Sequence, residues 1–103
     1  MKLLLPGDSV LVLEKRVMKL WNKVDETRLK ERYMLVPEAY ECSELWFRLV
    51  DKYFYDARRL KELYTTGLWL ASVLNRVGLG CTAQRIEDLA GVIIRHLGGK
   101  VTW

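Results

Sequence analysis

Hydrophobic residues recur along this chain at intervals of three and four, the spacing that places them on one face of an α-helix. Val10, Leu13, Val17, Leu20 and Val24 form the first such stripe, and Lys15, Arg16, Lys19 and Lys23 fall away from it. Asp8 or Ser9 is placed to cap this helix, because a short side-chain oxygen there accepts from the free N–H groups of the first turn. Ahead of it, Pro6-Gly7 is a turn signal that closes a short apolar lead. The alternative for this stretch is a small hairpin, residues 3–5 with 9–13, about the same turn. After Val24 the pattern slips and resumes at Leu29, Tyr33 and Val36, which predicts a bend or a second register near Asp25 to Thr27.

Pro37 opens the next helix. Proline suits the first helical position, and Val36 before it is steered toward extended backbone. Glu38, Glu41 and Glu44 follow in its first turns, toward the positive end of the helix dipole. Then Trp46, Val50, Tyr53, Ala57, Leu60, Tyr64, Gly67, Ala71 and Leu74 alternate steps of four and three, a heptad-like seam with Leu45, Leu49, Leu63 and Leu70 on a neighbouring stripe. An unbroken helix from Pro37 to Val77 would be roughly 60 Å long, more than a domain of this size spans. Thr65-Thr66-Gly67 holds three weak helix formers in succession, so the break is predicted there. A continuous helix would instead have to pair with a second chain.

Gly78-Leu79-Gly80 reads as a tight connection, Thr82 as the cap of a last helix, and Ile86, Leu89, Ala90, Ile93 and Leu97 as its buried stripe. Gly98-Gly99 ends it in the left-handed conformation that glycine tolerates. The predicted fold is all-α: a compact bundle of three to four helices in one domain, residues 1–103, with a short β element at the N- or C-terminus as an option.

Composition agrees with a globular chain. Half of the 103 residues are hydrophobic and 29% are charged. No apolar run approaches the roughly 20 residues that cross a bilayer, and the apolar lead is too short for a secretion signal. A cytoplasmic protein without a membrane partner is expected. One glutamine and two asparagines, beside abundant Lys, Arg and Glu, match the amide-poor pattern of proteins from hot environments. Cys42 and Cys81 read as reduced thiols, a single bridge being the alternative in a hyperthermophile. With His96 they make three scattered ligands at no zinc-site spacing.

Catalysis finds little support. His96 is the sole histidine and stands in the last turn of a helix, where a cation favours the dipole's negative end. Asp25-Glu26 and Glu87-Asp88 are adjacent in sequence and so diverge by about 100° on a helix. Gly78-Leu79-Gly80 lacks the further glycines and the lysine of a phosphate loop. The expectation is a non-enzyme with no cofactor, no metal and no small-molecule substrate.

Two functional readings follow. The leading one is a non-catalytic interaction module, a homodimer or a small subunit of a larger assembly. It would dock onto itself or another protein through Trp46, Val50, Tyr53, Ala57, Leu60 and Tyr64, because Tyr and Trp are enriched at the buried centres of interfaces. The runner-up rests on a net charge of +4, with the excess mostly in the first 36 residues. Lys15, Arg16, Lys19 and Lys23 would hold nucleic-acid phosphates in a salt-sensitive way. Residues 68–77 and 82–97 would act as a helix-turn-helix that presents Thr82, Gln84 and Arg85 to the major groove. A plain helical hairpin is the competing account of that last unit. The remaining aromatics, such as Phe47 and Tyr55 off the seam, either widen the core or stack on single-stranded bases beside Arg48, Arg58 and Arg59.

Overall fold

The computed structural model describes residues 9–98, so the lead through Pro6-Gly7, Gly99 and the C-terminal tail fall outside them; the alternative hairpin is overturned, because residues 10–13, its second strand, are α-helical. Four helices follow in order: α1 (Val10–Glu26), α2 (Val36–Lys52), α3 (Ala57–Arg76) and α4 (Gly80–His96), with a 3₁₀ helix (Leu29–Leu35) between α1 and α2. No strand occurs among the described residues. The all-α bundle is therefore the fold.

α1 forms as its periodicity dictates. Ser9 caps it, its hydroxyl accepting from the Val12 N–H at 3.3 Å, and Val10, Leu13, Val17, Leu20 and Val24 are all buried. The bend after Val24 is present, with Thr27 extended at the helix end. The stripe does not resume, however: Leu29 and Tyr33 stand in solvent, and Leu35 and Val36 pack against the core instead. Residues four apart share a face of an α-helix but lie about 120° apart on a three-residue turn, so the 3₁₀ geometry turns this pair outward. Val36 is helical (φ −58°, ψ −46°) despite preceding Pro37, because the 3₁₀ segment runs into α2 without an extended residue between.

The break in the long seam lies at residues 53–56, not at Thr65–Gly67. α2 ends at Lys52 and α3 begins at Ala57, where the Asp56 carboxylate accepts from the Arg59 N–H at 3.2 Å. Thr65 and Thr66 stay helical by donating their hydroxyls to the Lys61 and Glu62 carbonyls. Gly67 has a packing role: Trp46 of α2 lies flat on it, so that an added Cβ would sit 2.6 Å from Cζ2 of the indole. The Trp46 Nε1–H donates to the Leu63 carbonyl at 2.8 Å. The two halves of the seam thus fold back on each other, and its three-four spacing continues across the turn because both halves face one core. The longest dimension, 41 Å, has no room for the roughly 60 Å continuous helix.

Three contacts fix the relation of α1 and α3. Glu14 Oε2 lies 3.4 Å from the Thr66 hydroxyl, whose proton it shares with the Glu62 carbonyl, Trp21 packs on Trp69 with ring centroids 4.9 Å apart, and Asp25 pairs with Arg76. Positions rise together along both helices, so α1 and α3 run parallel, with α2 antiparallel to them. α4 turns back along α3. Their connection is a Schellman turn: the Leu79 N–H reaches the Leu74 carbonyl at 2.8 Å, the Gly78 N–H reaches Asn75 at 3.3 Å, and Gly78 has φ +90°. Leu79 occupies the N-cap position and α4 already begins at Gly80, so Thr82 lies inside the first turn rather than capping it. The far end of α4 brings His96 onto Phe54, ring centroids 4.2 Å apart, just ahead of α3. Ala83, Ile86, Ala90 and Ile93 are buried, Leu89 and Leu97 pack at the core's edge, and Gly98 (φ +67°) closes the helix.

Candidate docking surface on α1 and α3

The residues first expected to meet a partner are used by the chain itself. Trp46, Val50 and Leu60 are sealed in the core, Tyr53 and Tyr64 are half-buried at its margin, and only Ala57 is exposed. On the folded chain a partner could reach Ala57 and the margins of Tyr53 and Tyr64, but not Trp46, Val50 or Leu60. The physical reason is the turn at 53–56, which makes one half of the seam the partner of the other.

The helix-turn-helix arrangement does not form either. Such units cross at about 90–120°, whereas α4 returns along the whole of α3 to place His96 beside Phe54. Thr82 is half-buried, Gln84 donates to Asp88 Oδ1 at 2.9 Å, and the Arg85 guanidinium lies 5.1 Å from the Phe47 ring centroid. The three side chains proposed to read bases are thus occupied by contacts within the chain or partly covered.

On α1 the basic residues divide. Arg16 turns toward α2, where it donates to both Glu38 oxygens at 3.1–3.2 Å and to Glu41 at 3.3 Å. Partial burial disfavours its charge, but the Cys42 thiolate that forms only in alkali and the carboxylates of Glu38 and Glu41 outweigh that effect, and its pKa is raised. Cys42 is buried below this cluster, with Sγ 3.8 Å from Glu38 Oε2. Burial pushes its thiol up to about 11, helped by Glu38 and opposed by Arg16. Cys42 and Cys81 are both free, and only Cys81 is exposed. Among the described residues no cluster of three His, Cys, Asp or Glu could hold a metal ion.

Lys15, Lys19 and Lys23, by contrast, project outward one turn apart, and none of them has an ion-pair partner among the described residues. Beside this row the outer face of α1 carries two apolar side chains that belong to no core stripe, Leu11 and Met18, seven residues apart. Met18 faces a depression of about 220 Å³ between α1 and α3, walled by Val17, Thr65, Thr66 and Trp69 with Glu14 at its edge. Met18 is 45% exposed and Trp69 42%, while Trp21 props Trp69 from below and the Arg76 guanidinium covers Trp21 at 5.3 Å. Lys15, three positions before Met18, shares its helical face, whereas Lys19 and Lys23 turn toward α2 and border a hollow with Arg16 and Glu38.

Leu11 and Met18 had a sequence signal, a hydrophobic pair opposite the Val10–Val24 stripe. Trp69 had none, since only the parallel packing of α1 on α3 brings it to Met18. The chain matches no protein-family model, no curated protein and no solved structure. No helix among the described residues is long and apolar enough to cross a membrane.

Proposed function

We propose that this chain is a non-catalytic interaction module whose α1–α3 face docks an acidic, amphipathic segment of a protein partner. One observation carries the reading: an apolar depression opens between Met18 and Trp69, and Lys15, one turn before Met18 on the exposed side of α1, has no ion-pair partner among the described residues. Tryptophan is among the commonest binding hot spots, and methionine adapts its shape to an apolar anchor. Lys15 beside Met18, with Lys19 and Lys23 further round α1, favours an acidic partner over a basic one and speeds the encounter. A strip one helix long, roughly 25 Å, belongs to the small, transient class of interfaces.

The test is calorimetric titration with a synthetic helical peptide carrying leucines at i, i+4 and i+7 flanked by glutamates, against the same peptide with lysines. Binding of the acidic peptide alone, weakened by Met18→Glu and separately by Lys15→Glu with Lys19→Glu, is expected, with the helical circular dichroism unchanged. Equal binding of both peptides, or indifference to both variants, overturns the reading.

The lysine row also favours a second reading, phosphate binding by a nucleic acid along α1. That interaction would fall steeply with salt and be lost in Lys19→Glu, yet would ignore Met18→Glu. Sensitivity to Met18→Glu therefore separates the two.

A further inference from the structure

At the opposite end of α3 from the Schellman turn, the α2–α3 turn and the end of α4 enclose a second depression of about 380 Å³. Two features distinguish it. Phe54, Tyr55 and His96 form a group of rings in mutual contact: Phe54 on His96 at 4.2 Å, tilted by only 34°, with Tyr55 edge-on to both. Tyr55 is 90% exposed, an unusual position for a large aromatic ring that is already fixed by two neighbours. Facing this platform, Arg58 and Lys61 stand three residues apart on the first turns of α3, and among the described residues no acidic side chain lines the depression. The nearby Asp56 carboxylate is turned to the Arg59 N–H as the helix cap.

Closing the helical hairpin requires His96 to rest on Phe54, but it does not require an exposed tyrosine or two cations over the same hollow. We infer that the depression is a binding site for a nucleoside monophosphate, either free or as the 5′-phosphorylated end of a single strand. The base would stack on the exposed Tyr55–His96 surface, a contact open to any base. The phosphate would lie between Arg58 and Lys61 at the positive end of the α3 dipole. The volume lies at the lower end of the range for small-ligand pockets. Arg58 also borders a hollow beside Leu11 and Glu14 of α1, but the ring group and Lys61 lie apart from the Met18–Trp69 depression, and neither reading depends on the other.

Amide and imidazole NMR spectra of the whole chain, titrated with adenosine monophosphate at low salt, test the inference. Adenosine and ribose 5-phosphate serve as half-ligands, and short single strands with and without a 5′-phosphate as the second source. Shifts at Tyr55, Arg58 and His96 are expected, with the monophosphate binding about tenfold or more tighter than either half-ligand. Arg58→Glu with Lys61→Glu should weaken binding at least about tenfold while the helical circular dichroism and the thermal midpoint are unchanged. Preference for the phosphorylated strand over the free nucleotide, or the reverse, identifies the source. Half-ligands that bind as well as the nucleotide, shifts elsewhere on the surface, no shifts at millimolar ligand, or a double variant that binds normally would each overturn it.

Discussion

Replacing Gly67 by alanine in α3 sets two physical effects against each other. In a helix interior alanine is favoured over glycine by about 1 kcal/mol, so on helix propensity alone Gly67→Ala stabilises the protein. Packing says the opposite. The new Cβ would lie 2.6, 2.8 and 2.9 Å from Cζ2, Cε2 and Nε1 of Trp46, a ring that is completely buried and cannot swing aside. Moving the indole costs about 1–3 kcal/mol of overpacking. It also stretches the 2.8 Å bond from Nε1 to the Leu63 carbonyl, a buried donor whose loss costs about 1–3 kcal/mol more. Net of the propensity gain, Gly67→Ala should destabilise by about 1–5 kcal/mol, each kcal/mol lowering Tm by roughly 4–8 °C for a domain of this size. Urea denaturation followed by circular dichroism measures it. In a Trp46→Phe background, which lacks Nε1 and the outer part of the indole, the same substitution should cost less than about 1 kcal/mol, the difference being the coupling energy of the pair. A Gly67→Ala protein as stable as the parent, or an equal cost in both backgrounds, would refute the reasoning.

Three further outcomes follow from the same geometry. In the native protein a thiol reagent should modify Cys81 promptly and reach Cys42 only on unfolding, as counted by mass spectrometry with and without denaturant. Because the folded Cys42 thiol holds its proton to about 11 and the unfolded one to about 9, the stability this provides is complete below pH 9. It is lost as pH rises to about 11, by roughly 2–3 kcal/mol, and Cys42→Ala should remove that part of the pH profile. At the two turns, Asp56→Ala should cost about 1 kcal/mol by uncapping α3. Gly78→Ala should cost about 1–2 kcal/mol because φ is +90° there, although no atom lies within 4 Å of the new Cβ; denaturation midpoints report both.

The helices were legible in the sequence wherever a stripe faced one core. Val10 to Val24 and Ile86 to Ile93 are buried as their spacing predicts, and Ser9 caps α1. The seam from Trp46 to Leu74 was legible as an apolar surface but not as two helices, because its three-four rhythm carries through the turn at residues 53–56. Glycine and paired threonines looked like the break, yet Gly67 is there to admit the Trp46 ring and the threonines bond back to their own helix. The only local sign of the true turn is Asp56, a good cap placed before Ala57. Partner-facing residues were the least legible. Met18 and Trp69 are 51 positions apart in the chain, and Phe54 and His96 are 42 apart, so each pair exists only once α3 has its neighbours.

The aromatic seam closes the chain's own core, and the partner we propose docks on the α1–α3 face. Indole N–H resonances test both halves at once during titration with the acidic amphipathic peptide. The Trp46 signal should exchange slowly with solvent and stay in place, since its N–H is buried on the Leu63 carbonyl, while the Trp69 signal moves. A Trp46 N–H that exchanges freely or shifts with peptide, beside an unmoved Trp69, would contradict the account.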